Sequence, residues 1–334
     1  MQVSEQALRQ LVVDLLQAHG APPDAARLQA DLLIEAELRG LPSHGVQRLP
    51  RLLARIGNGL ADPVATGDHH WRRTAFLEVD GQRALGPVAL MAAMEALLPA
   101  AHRAGLALAA IRNSNHIGML AYYAEAAARR GVIGIVLSTS EALVHPFGGT
   151  EAMLGTNPVA IGIPTGEVPF VLDLASSAVS MGKIHHHALT GEALAPGWAV
   201  DAAGAPTTDA QAAKTGAIAP FGGAKGYGLG LAFELMVALL AGSDLAPEVR
   251  GTLDAVHPAS KGDLLILLDP GADAGVTARL GAYLDALRHS RPADPGRPVA
   301  VPGDGMRARR AAALRDGIDV PDSLLNDLRT LRAA

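Results

Sequence analysis

Around Thr74 the hydrophobic periodicity of this chain changes, and the change restricts its fold class more than any other feature. Before that point apolar residues recur at helical spacing. Ser4 can cap a helix that runs to about His19 and ends at Gly20, and a second starts after Pro22-Pro23, carries Leu28, Leu32 and Leu33 on one face and stops near Gly40. A third opens at Ser43 and carries Leu49, Leu52, Leu53 and Ile56, with Pro50 predicting a kink or a late start. Beyond Thr74 short β-like runs appear at 74–79, 106–111, 132–137, 159–163 and 168–172. Helical runs at 87–103 and 120–130 separate the first three, and this alternation predicts an α/β sheet. A Gly-rich helix over 226–242, a strand over 264–268, a helix over 277–288 and two C-terminal helices complete the pattern. The last two are expected to return to the N-terminal helices. That gives a discontinuous helical lobe, 1–70 plus 290–334, beside an α/β cofactor-binding domain over 71–289.

Composition removes several function classes. Hydrophobic residues make up 49% of the 334 and charged ones 18%, as in an ordinary globular chain. Aromatics at 3% and a formal net charge of −5 argue against a nucleic-acid partner. With no cysteine there is no disulfide, thiolate metal site or cysteine nucleophile, which fits a reducing compartment. Glu5 and Asp14 break the order of a signal peptide. The longest apolar run, 226–242, is short for a membrane span and is interrupted by Glu234, so it reads as a helix buried in the core. The expected location is cytoplasmic, with no membrane partner.

Four clusters could carry chemistry. In Asn113-Ser114-Asn115-His116-Ile117-Gly118, His116 stands at a strand-to-helix junction, where an imidazole can exchange protons with a ligand. A polar turn that caps the next helix is the alternative. Ser43, His44 and Arg48 form the second cluster. On a helix His44 and Arg48 share a face, and a guanidinium there offers a planar fork for a carboxylate. Two turns, Gly148-Gly149-Thr150 and Gly155-Thr156-Asn157-Pro158, precede a strand, and Asp173 with Ser176-Ser177 follows the next. Asp173 could bind a ribose hydroxyl, orient a histidine or cap a helix. The fourth cluster, Gly222 to Gly228, places Lys225 at a helix N-terminus suited to an anion. It is not a Walker A loop, and no G-x-G-x-x-G follows the first strand, so any dinucleotide site is not of the Rossmann type. His185-His186-His187 reads as a polar surface loop, because consecutive histidines diverge and no spaced metal-ligand set accompanies them. No metal site is expected, although a metal-dependent hydrolase built on His44, His116 and that run is a rival reading.

Taken together, L-P-S-H-G-V-Q-R at 41–48, N-S-N-H-I-G at 113–118, G-G-T-E-A-M-L-G-T-N-P at 148–158, D-L-A-S-S at 173–177 and G-A-K-G-Y-G-L at 223–229 resemble the malate/L-lactate dehydrogenase type 2 family. Its members include sulfolactate, ureidoglycolate and diketogulonate dehydrogenases and cyclic-imine reductases. The resemblance implies a non-Rossmann, mixed-sheet, three-layer α/β fold of the sulfolactate dehydrogenase-like type. It also implies a homodimer with its active site near the subunit interface, and NAD or NADP as cofactor. The implied reaction is hydride transfer between nicotinamide and a small 2-oxo/2-hydroxy acid, or alternatively NADPH-dependent reduction of a cyclic imino acid such as piperideine- or pyrroline-2-carboxylate. By the same resemblance His116 is the proton donor and acceptor, Ser43, His44 and Arg48 shape the substrate site, and Ser140, Asp173, Leu174, Ala175, Ser176, Lys225 and Gly226 line the cofactor site. Ser138-Thr139-Ser140 stands where many relatives have Ser-Asn-Ser. The resemblance also implies that the adenosine end of the cofactor falls near His185 to His187, whose imidazoles would suit a 2′-phosphate.

Overall fold

The computed structural model describes residues 1–271 and 273–333. Its centre is a seven-stranded mixed sheet of β1 (Asp68–Arg73), β2 (Phe76–Asp80), β3 (Leu106–Arg112), β4 (Ile133–Ser138), β5 (Val159–Ile163), β6 (Phe170–Leu174) and β7 (Gly262–Leu268). The spatial order is β1-β2-β3-β7-β4-β5-β6. Only β2 and β3 pair in parallel, because α4 (Gly86–Ala104) carries the chain across between them. β7 returns late in sequence and enters antiparallel between β3 and β4.

Side chains alternate across each strand, so the two faces of the sheet can be read from parity. Ala107, Ala109 and Ile111 of β3, with Leu265 and Leu267 of β7, face a core completed by α4, by α5 (Ala121–Arg129) and by Leu32 and Ala36 of α2 (Pro23–Leu38). Ala110 of β3 and Leu264 of β7 face the other way, toward Val237 and Ala241 of α7 (Ala224–Ala241). Helices on both faces make three layers. A further cluster joins α1 (Glu5–Ala18), α2 and α3 (Leu49–Gly57) to Ile318, Val320, Leu325 and Leu328 at the C-terminal end. Gln2-Val3 pairs with Ile318-Asp319 in a small sheet that ties the two chain ends together. The C-terminal helices α9 (Asp304–Asp316) and α10 (Asp322–Ala333) pack on α2 and α1 respectively.

Four expectations change. The helix expected from Ser43 is instead two 3₁₀ turns, Pro42–His44 and Val46–Arg48, separated by extended Gly45, and α3 starts late, at Leu49, with Pro50 in its first turn. Strand β1 was not foreseen, since its six residues are all exposed and carry no apolar alternation. The His185-to-His187 run is no loop: it lies on α6 (Met181–Thr190), which Ser180 caps by accepting from the Lys183 amide. Finally, α7 is not buried throughout. Gly226, Gly230, Glu234, Val237 and Ala241 face inward, while Leu229, Leu235 and Leu239 are exposed, the last at 82%. This helix is long and apolar enough to cross a membrane by length and composition, yet its inward face packs on β7, β3 and β4.

Candidate active site

The C-terminal ends of β3 and β4 open toward one region, and the loop after β3 carries His116. Asn115 anchors that loop: its side-chain amide donates to the carbonyls of Arg83 (2.7 Å) and Ala84 (3.1 Å), and its oxygen accepts from Arg55 Nε (2.7 Å). Gly118 has φ +74°, and a Cβ there would lie 2.4 Å from Leu32, so only glycine lets the loop settle against α2. The Gly118 amide donates to His116 Nδ1 at 3.1 Å. An acceptor at Nδ1 leaves the proton of the neutral ring on Nε2.

His44 stacks on His116 with ring centroids 5.5 Å apart and planes 15° from parallel. Two turns of chain therefore bring together what the sequence separates. His44 Nδ1 is buried and has no hydrogen-bond partner among the described residues. Burial pushes the His44 imidazole down to about 4, with Arg48 adding to the shift. The same causes, burial first and then Arg48, hold His116 well below the ordinary histidine range. Both rings are thus neutral at pH 7 in the free protein. Arg48 Nε donates to the Ser43 carbonyl at 2.7 Å, which fixes the guanidinium by the turn rather than by an acid. Burial pushes Arg48 down to about 10, and among the described residues it forms no ion pair. A half-buried cation of this kind asks for an anion. A small pocket, open to solvent, lies here against His116, Arg48, Arg51, Arg55, Leu32 and Leu33.

On the other side Ser140, Thr156, Ser176 and the start of α7 meet through one chain of hydrogen bonds. Ser140 Oγ accepts from the Thr156 amide (3.1 Å), the Thr156 carbonyl accepts from the Ser176 amide (2.8 Å), and the Ser176 carbonyl accepts from the Phe221 amide (3.0 Å). Gly222 and Gly223 both take positive φ, +57° and +62°, immediately before α7, whose N-terminus has no side-chain cap. Exposed Lys225 sits in that first turn, beside buried Gly226. Uncapped amides and an exposed ammonium suit a phosphate. Asn157 Oδ1 is buried without a partner nearby, although its amide donates to Glu234 Oε2 at 2.7 Å and to the Gly230 carbonyl at 3.0 Å. These residues fit a dinucleotide with an anionic linkage.

Not every residue of the implied cofactor set turns toward that cradle. The Asp173 carboxylate accepts from the Ala121 amide at 2.7 Å, at the start of α5, and burial pushes it up to about 6. Its acceptor capacity goes into a helix cap. Leu174 pairs with Val159 and packs under α7, and Ala175 continues the chain to Ser176. Thr139 Oγ1 accepts from the Gly262 amide at 3.0 Å. Gly182 brings α6 against Ser43, while His187 meets Trp198 edge-on. Among the described residues no group of histidines and acids is arranged to hold a metal ion.

Three features went unread in the sequence. Arg51 and Arg55 follow Arg48 at helical intervals, a signal that was available. Glu234 was noted only as an interruption, yet it caps two loops: Oε2 accepts from Asn157 and from the Gly155 amide, and Oε1 from the Ala246 amide. Lys261 and Asp263 form a buried ion pair that also holds Ser114 and Ser138, which no local pattern announces.

A family model for malate/L-lactate dehydrogenase matches residues 3–329. The sulfolactate dehydrogenase of Methanocaldococcus jannaschii superposes with a TM-score of 0.94 at 33% identity, covering 99% of this chain and 96% of that one. A dehydrogenase from Sinorhizobium meliloti superposes with a TM-score of 0.96 at 65% identity, covering 99% and 98%. A Delta(1)-pyrroline-2-carboxylate/Delta(1)-piperideine-2-carboxylate reductase of Pseudomonas putida is 32% identical over 335 residues, 97% of this chain and 95% of that protein. With the family model spanning residues 3–329 and relatives matched over nearly the whole chain, the chain belongs to the malate/L-lactate dehydrogenase family and is an oxidoreductase.

Proposed function

We propose that the protein catalyses reversible, NAD- or NADP-dependent hydride transfer to C2 of a small 2-oxo acid, with His116 and Arg48 acting on the substrate. The observation that carries this reading is that a half-buried Arg48, in no ion pair among the described residues, lines one cavity with His116, a neutral imidazole on which the neutral ring of His44 stacks. Arg48 takes the substrate carboxylate, restoring the counter-charge it lacks. Ser140, Ser176, Lys225 and Gly226 would hold the dinucleotide, whose nicotinamide would supply the hydride in reduction and accept it in oxidation. As C2 receives the hydride, the carbonyl oxygen gains negative charge and takes a proton from His116 Nε2. In the reverse direction the neutral ring accepts the hydroxyl proton. His44 Nδ1, buried and unpartnered, is placed to hydrogen-bond the bound substrate. Ser43 contributes its carbonyl to Arg48 and so sets the angle of the fork. An anion on Arg48 also removes part of the charge that depresses both imidazoles, which favours the protonated donor once substrate is bound.

Ser140, Ser176, Lys225 and Gly226 make the cofactor cradle in this reading, while Asp173, Leu174 and Ala175 hold the strand end that carries it. The helical lobe, 1–70 with 290–334, carries Ser43, His44 and Arg48, and 71–289 carries His116 together with the cofactor side. The protein is taken to act as a homodimer. In support, Leu229, Leu235 and Leu239 of α7, Leu106 of β3, and Val276, Leu280 and Tyr283 of α8 (Ala274–Arg288) are large apolar side chains left exposed in one chain. Leu239→Asp is expected to shift the protein to monomer in sedimentation, and an unchanged dimer would remove α7 from the interface.

A cyclic imino acid is the second reading, because its carboxylate and C=N present the same two groups to Arg48 and His116, and the Pseudomonas putida relative is named for such a substrate. Absorbance at 340 nm, followed with NADH and NADPH over a panel of 2-oxo acids and cyclic imines, separates the two. Turnover confined to cyclic imines would replace the main reading.

A further inference from the structure

Strand β7 begins with charge and continues as apolar side chains. Lys261, just before it, and Asp263 within it are 1% and 0% exposed and pair with each other. Alternation puts Asp263 on the face of Leu265 and Leu267, against the core that α4 and α5 complete. A buried ion pair is an inefficient way to stabilise a core, because apolar side chains of similar volume commonly do as well or better. Its place in the fold gives this pair another use.

Two segments meet on it. Asp263 Oδ2 accepts from the Ser114 hydroxyl at 3.2 Å, and Oδ1 accepts from the Ser138 hydroxyl at 2.7 Å. Lys261 Nζ donates to Asp263 Oδ2 and reaches Ser114 Oγ at 3.5 Å. Ser114 stands two residues before His116, and Ser138, at the end of β4, two residues before Ser140. Gly262 closes the same seam with backbone: its amide donates to Thr139 Oγ1 and its carbonyl accepts from the Thr139 amide, both at 3.0 Å. Among the described residues the two serines have only weak alternatives, the Asn115 carbonyl at 3.5 Å for Ser114 and the Thr139 carbonyl at 3.4 Å for Ser138. A carboxylate can accept from both hydroxyls at once, and the Lys261 ammonium supplies the counter-charge that lets it do so out of water. Other parts of the loop are held from other sides, Asn115 by Arg55 and the Ile117 carbonyl by the Tyr123 hydroxyl at 2.5 Å. Asp263 supplies the side-chain link to β4. One carboxylate thus ties the segment that carries the proton donor to the segment that opens the cofactor cradle. Hydride and proton must reach the two ends of one substrate double bond, so the spacing between those segments governs the rate.

Resting on the reading of His116 as the proton donor, we propose that Lys261 and Asp263 are positioning residues, which hold the His116 loop at a fixed spacing from the cofactor cradle through Ser114 and Ser138. They act on turnover through that spacing and not by contact with the substrate.

The test measures kcat, KM and NAD(P)H affinity with pyruvate, oxaloacetate and piperideine-2-carboxylate as substrates, in wild type and two double variants whose folding is checked by circular dichroism and thermal melting. Lys261→Met with Asp263→Leu makes the pair apolar and leaves no buried charge unpaired. Its kcat should fall about 10-fold or more with KM changed less, because misplacement costs the transition state rather than the bound substrate. Lys261→Gln with Asp263→Asn keeps hydrogen-bonding groups against both serines and should recover most of that loss. A purely structural role predicts lower melting temperatures with kcat of the folded protein unchanged. That result overturns the proposal, as does a loss carried by KM or an amide pair no faster than the apolar one. If the apolar pair does not fold, Ser114→Ala decides, since it leaves the ion pair whole and frees only the loop: a several-fold lower kcat supports the proposal, and an unchanged kcat overturns it. No turnover of any of the three substrates by wild type would overturn the reading of His116 and the proposal with it.

Discussion

The two sides of the site handle polar groups in opposite ways. On the cofactor side Ser140, Thr156, Ser176, Asn157 and Glu234 are knitted together by hydrogen bonds, although Asn157 Oδ1 is left without a partner among the described residues. On the substrate side, among the described residues, His44 Nδ1 has no hydrogen-bond partner, Arg48 forms no ion pair and exposed Arg51 forms neither. The first arrangement builds shape, since satisfied groups hold a backbone in place and leave recognition to amides and glycines. The second stores unmet demand, which a substrate with a carboxylate and a carbonyl oxygen would meet. The contrast separates residues that act on the ligand from residues that act on the protein.

The largest effect should come from the substrate side. His116→Ala is expected to lower turnover by about 10²–10⁴-fold, the usual contribution of a positioned acid or base. Binding of NAD(P)H, followed by its fluorescence, should stay near the wild-type value. Equal loss of both would place His116 among the structural residues and erase the contrast. On the cofactor side Glu234→Gln puts an amide NH2 against amide donors in a buried pocket, and should cost about 1–3 kcal/mol of stability in a denaturant titration. It should weaken cofactor binding more than substrate KM, because Gly155 and Asn157 lose their common acceptor.

A smaller effect concerns the support beneath the 42–48 turns. Glu37 Oε1 accepts from the Val46 amide at 2.7 Å, and burial pushes this carboxyl up to about 7 from an ordinary 4.5. Between those values the folded chain keeps a proton that the unfolded chain has released. Stability is therefore lost as pH rises through that window. Glu37→Gln keeps the acceptor without the charge, so it should gain about 1–3 kcal/mol at pH 8 and almost nothing at pH 5. A gain of equal size at both pH values would mean that Glu37 acts by packing alone.

Much of this arrangement is legible in the residues. The run at 159–163 coincides with β5, the α4 and α5 boundaries differ from expectation by a residue or so, and the fold class follows from the change of period at Thr74. What the sequence hid had physical causes. Strand β1, His69 and His70 among it, lies at the sheet edge with no buried side, so no alternation marks it. Gly45 breaks the helix pattern that would have placed His44 and Arg48 on one face, and stacking on His116 orients His44 instead. For α7 the composition promised burial, but a helix can satisfy one apolar face within a chain and leave the other for a second chain. Lys261 and Asp263 sit two residues apart on a strand, which sends both side chains to the same face; that they meet Ser114 and Ser138 there depends on β7 entering between β3 and β4.

The claim that unmet charge on the substrate side is the binding site for a 2-oxo acid is tested most directly with oxamate, an unreactive isostere of pyruvate. Calorimetric titration in the presence of NADH or NADPH should give measurable affinity in wild type. In Arg48→Gln that affinity should fall about 30-fold or more, the loss of a charge pair in a partly desolvated site, with cofactor affinity retained. Equal oxamate affinity in the two proteins would contradict the account.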